Sequence, residues 1–259
     1  MNEVASVIAV AKQAGDAIMA IYHTDNFFVD YKSDESPVTK ADMDANRIII
    51  AGLKKISELP VLTEESPIDY EERKDWERYW LVDPLDGTKN FIAKQGEFTV
   101  NIALIEANEP VLGVVYIPMS GDVYCAEKGL GAFKNGRLIF NRSTRTNLVA
   151  ASSVFHTTDE MTDFFKLHGI TRITAFGSSL KICKLAEGSI DVYPRLNGTK
   201  EWDTAARHII ANEAGCKLID VQTLEPLLYN KCSLKNNHFI ASRNDLHFFN
   251  VRDAEGQIC

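Results

Sequence analysis

The sequence is organised around the segment Trp80-Leu81-Val82-Asp83-Pro84-Leu85-Asp86-Gly87-Thr88-Lys89-Asn90. Its apolar beginning predicts a buried strand, and we expect that strand to end at Asp83, because Pro84 cannot continue a hydrogen-bonded ladder. Gly87 permits backbone angles that other residues resist, so the chain can turn there. The sequence therefore predicts that Asp83 and Asp86 lie together at the carboxyl end of a strand, where α/β sheets bind ligands.

Two carboxylates this close together repel each other unless a cation joins them. Mg²⁺ suits this role, because it prefers carboxylates, carbonyl oxygens and water as ligands. If a helix begins at Gly87 and Thr88, its free N–H groups and its dipole can also hold a phosphate. The alternative is a strand followed by an ordinary type I turn, in which Asp, Pro and Gly are common. The choice between the two depends on the rest of the chain.

The composition is that of a globular protein with an acidic surface. The chain has 259 residues, of which 45% are hydrophobic and 25% charged, which is enough for a sizeable core. The net charge of −8 argues against binding to a nucleic acid polymer, which normally requires a basic surface. A small phosphorylated substrate is compatible with this charge, because bound metal ions reverse the local field.

The cysteines and the apolar segments predict a soluble, cytosolic protein. Five cysteines are scattered along the chain without a C-x-x-C pair, which favours reduced thiols over disulfides or a zinc site. Glu3, Lys12 and Asp16 interrupt any apolar region that a signal peptide would need. The longest apolar stretch, residues 111–119, is too short to cross a bilayer, so no transmembrane segment is predicted.

The first part of the chain predicts two amphipathic helices. Apolar residues recur at helical spacing over residues 3–22 and again after Thr39, beyond a short strand over residues 27–31. Thr39 and Asp42 have the spacing of a capping box, in which Asp42 does no more than stabilise the start of the second helix. A chemical role for Asp42 would require this end of the helix to face the acidic segment around Asp83.

Further apolar runs predict an antiparallel sheet. Residues 60–63 form a brief run that ends at the acidic pair Glu64-Glu65, as the run before Asp83 ends in an acid. Strands are also predicted over residues 98–106, 111–116, 122–126 and 132–134, and Asn135-Gly136 is a strong hairpin signal. The charged segment 67–77 is expected to be a surface loop with solvated charges.

A change of pattern near Asn147 divides the chain into an N-terminal α+β lobe, residues 1–146, and a C-terminal α/β lobe, residues 147–259. Strands over 148–152, 171–175, 190–193 and 239–242 alternate with helices over 159–168 and 179–187, and a last helix is predicted over 245–252. A further helix begins near Glu201 and ends near Gly215, with Asp203 expected as its N-cap. We expect the two lobes to pack against each other.

Three widely separated motifs together resemble the inositol monophosphatase superfamily, whose members are magnesium-dependent, lithium-sensitive phosphatases. The motifs are Glu64-Glu65-Ser66, Asp83-Pro84-Leu85-Asp86-Gly87-Thr88 and Trp202-Asp203-Thr204-Ala205-Ala206. They stand in the family's order, at the ends of predicted elements, and the resemblance runs through nearly the whole chain. It implies an α+β fold, the layered α-β-α-β-α sandwich of that family, built as two packed lobes.

The second half of the chain looks most like the 3'(2'),5'-bisphosphate nucleotidases of the CysQ type. The stretches that carry this likeness are Gly177-Ser178-Ser179-Leu180-Lys181, Ala186-Glu187-Gly188 and Asp191-Val192-Tyr193-Pro194-Arg195. Such enzymes remove the 3'-phosphate of 3'-phosphoadenosine 5'-phosphate, giving AMP and phosphate. Two positions depart from the family: Asn197-Gly198 stands where Gly-Pro is expected, and Arg207 is bulkier than the small residue expected there.

The resemblance implies a site for two Mg²⁺ ions, with a third left open. Glu64, Asp83 and the carbonyl of Leu85 would hold the first ion. Asp83, Asp86 and Asp203 would hold the second, with Asp83 bridging the pair. Two ions about 3.5–4 Å apart can stabilise both the attacking and the leaving oxygen of a displacement at phosphorus.

The implied catalytic residues are Asp42, Thr88 and Glu64. Water on the first ion would be the nucleophile, and its proton would pass toward Thr88, which Asp42 orients. Backbone amides of Gly87 and Thr88 would bind the phosphoryl oxygens. We expect catalysis by positioning and charge neutralisation, because phosphoryl transfer leaves little covalent work for the protein.

For the nucleotide, the resemblance implies contacts from the second lobe. Lys181 and Arg195 would meet the 5'-phosphate, and His156 would touch the ribose or the base. By sequence alone, His156 could also be an ordinary surface-loop residue and Lys181 a solvated helix residue. The complete implied set of substrate contacts is Glu64, Leu85, Asp86, Gly87, Thr88, His156, Ser178, Lys181, Arg195 and Asp203.

Two other functions stay open on these residues. An inositol or sugar phosphate phosphatase would use the same metal residues, whereas a noncatalytic phosphometabolite-binding protein is disfavoured because the whole acidic set is present. The expected partner is a small phosphorylated nucleotide, either 3'-phosphoadenosine 5'-phosphate or its sulfated relative. The resemblance implies a cytoplasmic monomer or homodimer, free or peripheral on the inner face of the cell membrane, that clears a by-product of sulfate assimilation.

Overall fold

A computed structural model describes residues 3–24, 29–31, 37–153, 158–177, 180–196 and 198–248. The helices in these ranges are α1 (Glu3–Tyr22), α2 (Lys40–Ile56), α3 (Tyr70–Arg73), α4 (Thr88–Ile92), α5 (Asp159–Leu167), α6 (Leu180–Ala186) and α7 (Glu201–Glu213). The strands are β1 (Val29–Tyr31), β2 (Pro37–Thr39), β3 (Val61–Thr63), β4 (Arg78–Asp86), β5 (Thr99–Glu106), β6 (Glu109–Ile117), β7 (Asp122–Glu127), β8 (Gly131–Lys134), β9 (Arg137–Ile139), β10 (Val149–Ser153), β11 (Arg172–Phe176), β12 (Val192–Arg195), β13 (Thr199–Lys200), β14 (Cys216–Asp220), β15 (Lys235–Asn236) and β16 (Phe239–Arg243).

Two large sheets form the body of the protein. The seven-stranded sheet has the order β3-β4-β5-β6-β7-β8-β9, and it is antiparallel except for the pair β3 and β4. The five-stranded sheet has the order β11-β10-β12-β16-β14, in which β10 runs parallel to both of its neighbours. The first sheet ends before residue 140 and the second begins at Val149, but the division into lobes at residue 146 stays a prediction.

The sheets alternate with three helical layers. Along β4, Trp80 and Val82 face a core shared with α1 and α2, while Tyr79 and Leu81 face a core shared with α6 and α7. This alternation is the period of a strand buried on both faces, which explains its unbroken apolar sequence. Helices α6 and α7 also cover the five-stranded sheet, whose other face packs against α5. The expected α-β-α-β-α sandwich is confirmed.

Helix α1 belongs to the core. Its length and composition would suffice to cross a membrane. Its apolar positions Val7, Ala11, Ala14 and Ile18 are nevertheless fully buried against the seven-stranded sheet and α2. This burial is what a packing helix of a globular protein shows, and it agrees with the helical periodicity of the sequence.

Helix α7 lies directly on strand β6 at Gly113. A Cβ atom at this position would overlap the carbonyl oxygen of Ala206 and would stand 2.6 Å from a methyl group of Ile209. Only glycine permits so close an approach of helix and strand. The contact sets the depth of α7 between the two sheets and therefore the position of Asp203, which the first turn of this helix carries.

Several predicted elements need correction. The segment 67–77 is not a wholly solvated loop, since it contains α3, and Arg73 is buried there. The Arg73 guanidinium donates to Asn230 Oδ1 at 2.8 Å and to the carbonyls of Ile68 and Cys232. The helix predicted over 245–252 is wrong in its described part, because residues 244–248 form a turn and an irregular segment. The remaining residues of that segment lie outside the described ranges.

Candidate active site

Asp83 and Asp86 share one face of β4 because of a β-bulge. The strand does not end at Asp83 as the sequence suggested but continues to Asp86. Asp83 pairs with Asn101 and Asp86 with Thr99, so β4 advances three residues while β5 advances two. In a regular strand, two residues three positions apart point to opposite faces. The extra residue of the bulge brings Asp86 back to the same face as Asp83. The proline that cannot join the ladder thus lies inside the bulge rather than at the strand end.

The chain turns from β4 into α4 at Gly87. This residue has φ of 93° and ψ of 36°, in the left-handed region that only glycine enters without strain. Thr88 is the first residue of the short helix that follows. The predicted helix start after Asp86 is confirmed, whereas the binding of phosphoryl oxygens by the Gly87 and Thr88 amides stays a prediction.

Asp42 joins the start of α2 to Thr88. The Thr39 N–H and hydroxyl donate to Asp42 Oδ2 at 2.7 and 2.6 Å, so the predicted capping box is present. The second oxygen, Asp42 Oδ1, lies 3.1 Å from the Thr88 hydroxyl, which is also 3.2 Å from the Leu85 carbonyl. Asp42 therefore both caps its helix and faces the acidic segment, so the two possibilities raised by the sequence are not exclusive.

The environment of Asp42 raises the proton affinity of its carboxylate. Its side chain is 1% exposed. Burial raises the pKa of this carboxyl above its ordinary value, although the hydrogen bonds from Thr39 and Thr88 oppose the rise. A buried carboxylate with a raised pKa beside a hydroxyl is suited to accept a proton that the hydroxyl relays.

Three aspartates converge on one point. Carboxylate oxygens of Asp83, Asp86 and Asp203 lie within 4.8 Å of one another. Asp203 stands at the third position of α7, where its carboxylate accepts from the N–H of the N-cap residue Lys200 at 2.7 Å, so it is not the N-cap itself. Glu64 follows β3 and is held by its N–H to the Val82 carbonyl at 3.1 Å.

The charges of this cluster act strongly on one another. Burial, together with the charges of Glu64, Asp86 and Asp203, raises the pKa of Asp83 well above its ordinary value. Burial and the charges of Asp86 and Glu64 raise the pKa of Asp203 to about 7. Glu64 therefore lies close enough to both aspartates to repel their charge. Without a cation, the cluster is stabilised by bound protons.

The donor set suits a hard divalent cation. Asp83 is 1% exposed, and its Oδ1 accepts the Leu85 N–H at 3.1 Å. Its Oδ2 is buried without a hydrogen-bond partner among the described residues. Such an orphaned oxygen in the middle of an all-oxygen cluster is explained by a missing ligand of positive charge. The residues present thus fit Mg²⁺.

Positive side chains border the cluster on the side of Asp86. The Arg207 guanidinium donates to Asp86 Oδ2 at 2.5 Å. Lys181 is 4% exposed and is therefore not the solvated helix residue that its sequence allowed. Burial and the charges of Arg195 and Arg207 lower the pKa of Lys181 to about 7, while Asp86 opposes this shift. Asp86 thus belongs to the acidic cluster and is paired with Arg207, and its charge also acts on Lys181.

Lys181 and Arg195 both contact the side chain of Tyr193. The Lys181 ammonium donates to the Phe176 carbonyl at 3.0 Å and lies 5.4 Å from the centre of the Tyr193 ring. The Arg195 guanidinium donates to the Tyr193 hydroxyl and, at 3.2 Å, to the Gly198 carbonyl. His156, Ser178 and Asn197 lie outside the described residues.

Two features of the site escaped the sequence reasoning. The bulkiness of Arg207 was noted, but its spacing of four residues from Asp203 would also have placed it on the same helical face. Glu201 is fully buried and accepts the N–H groups of Asn230 and Lys231, and the Lys231 ammonium at 2.7 Å. This arrangement anchors the first turn of α7. The sequence around Glu201 does not predict this anchor, because the residues that Glu201 contacts follow about 30 positions later in the chain.

Comparison with known proteins agrees with this geometry. The sequence pattern of the inositol monophosphatase family matches residues 1–250. The chain belongs to the inositol monophosphatase family. The resemblance drawn from the three motifs is thereby confirmed, and members of this family are in general Mg²⁺-dependent.

Relatives within the family include bacterial CysQ proteins. The 3'(2'),5'-bisphosphate nucleotidase CysQ of Salmonella typhimurium is 48% identical over 223 residues, which cover 83% of this chain and 89% of that protein. CysQ of Escherichia coli K12 is 46% identical over 229 residues, or 86% of this chain and 92% of that protein. The crystal structure of CysQ from Bacteroides thetaiotaomicron has a TM-score of 0.84 at 39% identity, covering 94% and 97% of the two chains.

Proposed function

We propose that this protein is a Mg²⁺-dependent 3'(2'),5'-bisphosphate nucleotidase that hydrolyses 3'-phosphoadenosine 5'-phosphate to AMP and phosphate. The observation that carries the proposal is the junction at Asp86 between an acidic cluster and a group of cations. The acidic side suits metal ions that neutralise a reacting phosphate. The cationic side suits a second phosphate that does not react. A substrate with two phosphates matches both.

The acidic residues would share two ions. Glu64, Asp83 and the Leu85 carbonyl would hold one, and Asp83, Asp86 and Asp203 would hold the other. When bound, these ions neutralise the phosphoryl oxygens and activate water. The chain contributes the arrangement: a bulge, a helix start and a distant helix bring the ligands together, so little reorganisation is needed when a substrate arrives.

Thr88 and Asp42 would provide the path for the proton. The Thr88 hydroxyl donates its hydrogen to Asp42 Oδ1, which leaves its lone pairs free to accept a hydrogen from water. Asp42 keeps this geometry because Thr39 occupies its other oxygen. The oxygen of the water attacks phosphorus, the bond from phosphorus to the 3'-oxygen breaks, and that oxygen takes a proton from solvent to become the 3'-hydroxyl of AMP.

Lys181 and Arg195 would recognise the second phosphate. Their positive charges disfavour each other, since Arg195 helps to lower the pKa of Lys181. A phosphate placed between them removes that repulsion and forms charge-assisted hydrogen bonds with both. An inositol monophosphate lacks a group that could do the same, so this pair favours the nucleotide.

The test is the release of inorganic phosphate from three substrates at equal concentration. They are 3'-phosphoadenosine 5'-phosphate, inositol 1-phosphate and fructose 1,6-bisphosphate, each with Mg²⁺ and with or without Li⁺. We expect the nucleotide to have the highest kcat/KM and Li⁺ to inhibit its hydrolysis. Faster turnover of the inositol ester would overturn the nucleotide assignment, and the absence of hydrolysis of all three would overturn the phosphatase assignment.

We further propose that the enzyme works in the cytoplasm. Cys125, Cys183, Cys216 and Cys232 are free thiols, and the first three of them are buried. Burial raises the pKa of Cys183 and Cys216 to about 12, which keeps them protonated and unreactive. Such thiols are typical of a protein that meets a reducing environment.

A further inference from the structure

Arg207 reaches the metal site from the same helix as Asp203. The two residues are four positions apart on α7, and helical side chains lean toward the helix N-terminus. The Arg207 guanidinium therefore extends past Asp203 to Asp86, whose Oδ2 it contacts at 2.5 Å. Asp86 is half-buried and offers an oxygen to the acidic cluster, so the guanidinium binds a residue that would bind a metal ion.

Arg207 differs from the structural arginines of this protein. Arg73 donates from all three of its nitrogens, to Ile68, Asn230 and Cys232. Arg207 is 6% exposed, yet its Nε is buried without a partner in the described part of the chain. A guanidinium that serves only to stabilise a fold normally satisfies its buried donors. The hydrogen bond that the Arg207 guanidinium makes among the described residues goes to Asp86, in the acidic cluster.

The charge of Arg207 acts on the same residues as the second metal ion would. An arginine guanidinium keeps its charge in a protein, buried or not. The guanidinium consequently remains charged and neutralises part of the pair Asp86 and Asp203. A divalent ion at that pair meets repulsion from a fixed positive charge and must share or take over Asp86 Oδ2.

We propose that Arg207 is a resident cation of the second metal position, which weakens Mg²⁺ binding between Asp86 and Asp203 and releases Asp86 Oδ2 when that ion binds. This inference rests on the proposed function only in assuming that the acidic cluster holds Mg²⁺. It explains why a bulky charged residue is tolerated beside the cluster. In the metal-free protein the guanidinium keeps Asp86 oriented, and it competes with Mg²⁺ for the same oxygen.

The first experiment is calorimetric titration of the full-length protein with Mg²⁺ in the absence of substrate. Arg207→Met keeps the volume of the side chain and removes its charge. We expect this variant to bind the weaker of the two ions about tenfold or more tightly than the unaltered protein. Asp203→Asn identifies the weaker binding event, because it removes a ligand of that position alone. Unchanged or weaker binding by Arg207→Met overturns the inference.

Arg195→Met is the matched control. It also removes a positive charge near the site, but Arg195 hydrogen-bonds to Tyr193 and Gly198 rather than to Asp86. We expect its Mg²⁺ affinity to change by less than about threefold, because separated charges are partly screened. Equal tightening in both variants would show a general effect of net charge and would overturn a specific role for Arg207.

A second measurement follows the unaltered protein and uses a variant only to assign one resonance. The Arg207 Nε–H resonance, assigned by its absence from Arg207→Lys, is followed by NMR during the Mg²⁺ titration. We expect it to shift with the midpoint of the weaker binding event, because the guanidinium then leaves Asp86. A resonance that stays constant until saturation overturns the inference. If the protein binds no Mg²⁺ at all, both the proposed function and this inference fail, whereas binding without the shift defeats the inference alone.

Discussion

The Thr88 hydroxyl lies 3.1 Å from Asp42 Oδ1, although the two residues begin different helices and are 46 positions apart in the chain. Each helix start has its own reason to exist, the capping box for α2 and the left-handed Gly87 for α4. Because the two helix starts are in contact, Asp42 not only stabilises α2 but can also accept a proton from the Thr88 hydroxyl. The pair supplies the first of the predictions below.

Thr88→Ala should lower kcat for 3'-phosphoadenosine 5'-phosphate by about 10²–10⁴-fold, the range typical of a lost general base path. Mg²⁺ affinity measured by calorimetry should stay within about threefold, because the proposed role of Thr88 is in the proton path and not as a metal ligand. Thr88→Ser keeps the hydroxyl and should recover most of the activity. A fully active alanine variant would remove Thr88 from the proton path.

Asp83→Asn should separate stability from function. The variant should weaken Mg²⁺ binding by more than the ~10–100-fold typical of an outer-shell change, because Asp83 is the proposed bridging ligand. The metal-free variant should also be more stable to urea at neutral pH than the unaltered protein, since a buried acid that its neighbours Glu64, Asp86 and Asp203 repel is lost. Asp44→Asn is the control: its carboxyl is paired with Lys40 and Arg47, so it should leave Mg²⁺ binding unchanged and gain no stability. A metal-free Asp83→Asn less stable than the unaltered protein would contradict this account.

The metal-free protein should lose stability as the pH rises from about 4 to about 7. The carboxyl of Asp203 has a pKa of 3.8 when it is unperturbed and of about 7 in the folded protein. The folded state therefore binds this proton more tightly than the unfolded state, and the stability that it contributes disappears as the proton is lost. Thermal unfolding followed over this pH range measures the effect. Asp203→Asn should flatten the profile, and saturating Mg²⁺ should do so in the unaltered protein. A variant with the same slope as the unaltered protein would refute the assignment to Asp203.

The KM for 3'-phosphoadenosine 5'-phosphate should rise as the pH increases from about 7 to 9, by up to ~10-fold per pH unit. Lys181 has a pKa of about 7 without substrate, because burial and Arg195 oppose its charge, and it must gain a proton to bind a phosphate. Lys181→Ala should have a higher KM without this pH dependence and an unchanged Mg²⁺ affinity. Lys184→Ala is the control, since Lys184 lies on the same helix as Lys181 but pairs with Glu187, just beyond the helix end. An unchanged KM in Lys181→Ala would remove Lys181 from the substrate site.

Gly113→Ala should destabilise the protein by roughly 1–3 kcal/mol or more, because the new methyl group meets a backbone carbonyl that cannot rotate away. Gly52→Ala is the comparison: a Cβ there would stand 2.6 Å from a methyl group of Val10, and that side chain can move. We expect Gly113→Ala to cost more in urea unfolding and also to weaken Mg²⁺ binding, since α7 carries Asp203. A Gly52→Ala variant as damaging as Gly113→Ala would mean that the backbone contact is not special.

The sequence predicted those features that depend on neighbouring residues. The spacing of Thr39 and Asp42 predicted a capping box, because both residues lie within one helical turn. Gly87 predicted a turn, because glycine by itself permits backbone angles that other residues resist. The acids were recognised because their spacing and order resemble those of a family. The layered fold followed from that resemblance together with the alternation of helices and strands.

The features that were missed depend on partners far away in the chain. The bulge after Asp83 arises from pairing with β5, so Pro84 alone suggested an end to the strand where the strand continues. Arg73 looked solvated because its partner Asn230 is 157 positions away. Arg207 departed from expectation in size, but only the folded protein shows that its charge lies against Asp86.

The contact between Gly113 and Ala206 distinguishes substitutions that would move Asp203 from substitutions that would change only the side chains near the proposed nucleotide site. The place of Asp203 is set by backbone against backbone, so the geometry that serves the chemistry tolerates almost no drift. Lys181 and Arg195 lie on α6 and β12, and neither takes part in that contact. A lineage could thus acquire a new substrate by altering a few side chains around an unchanged reaction centre, and a protein engineer could follow the same route.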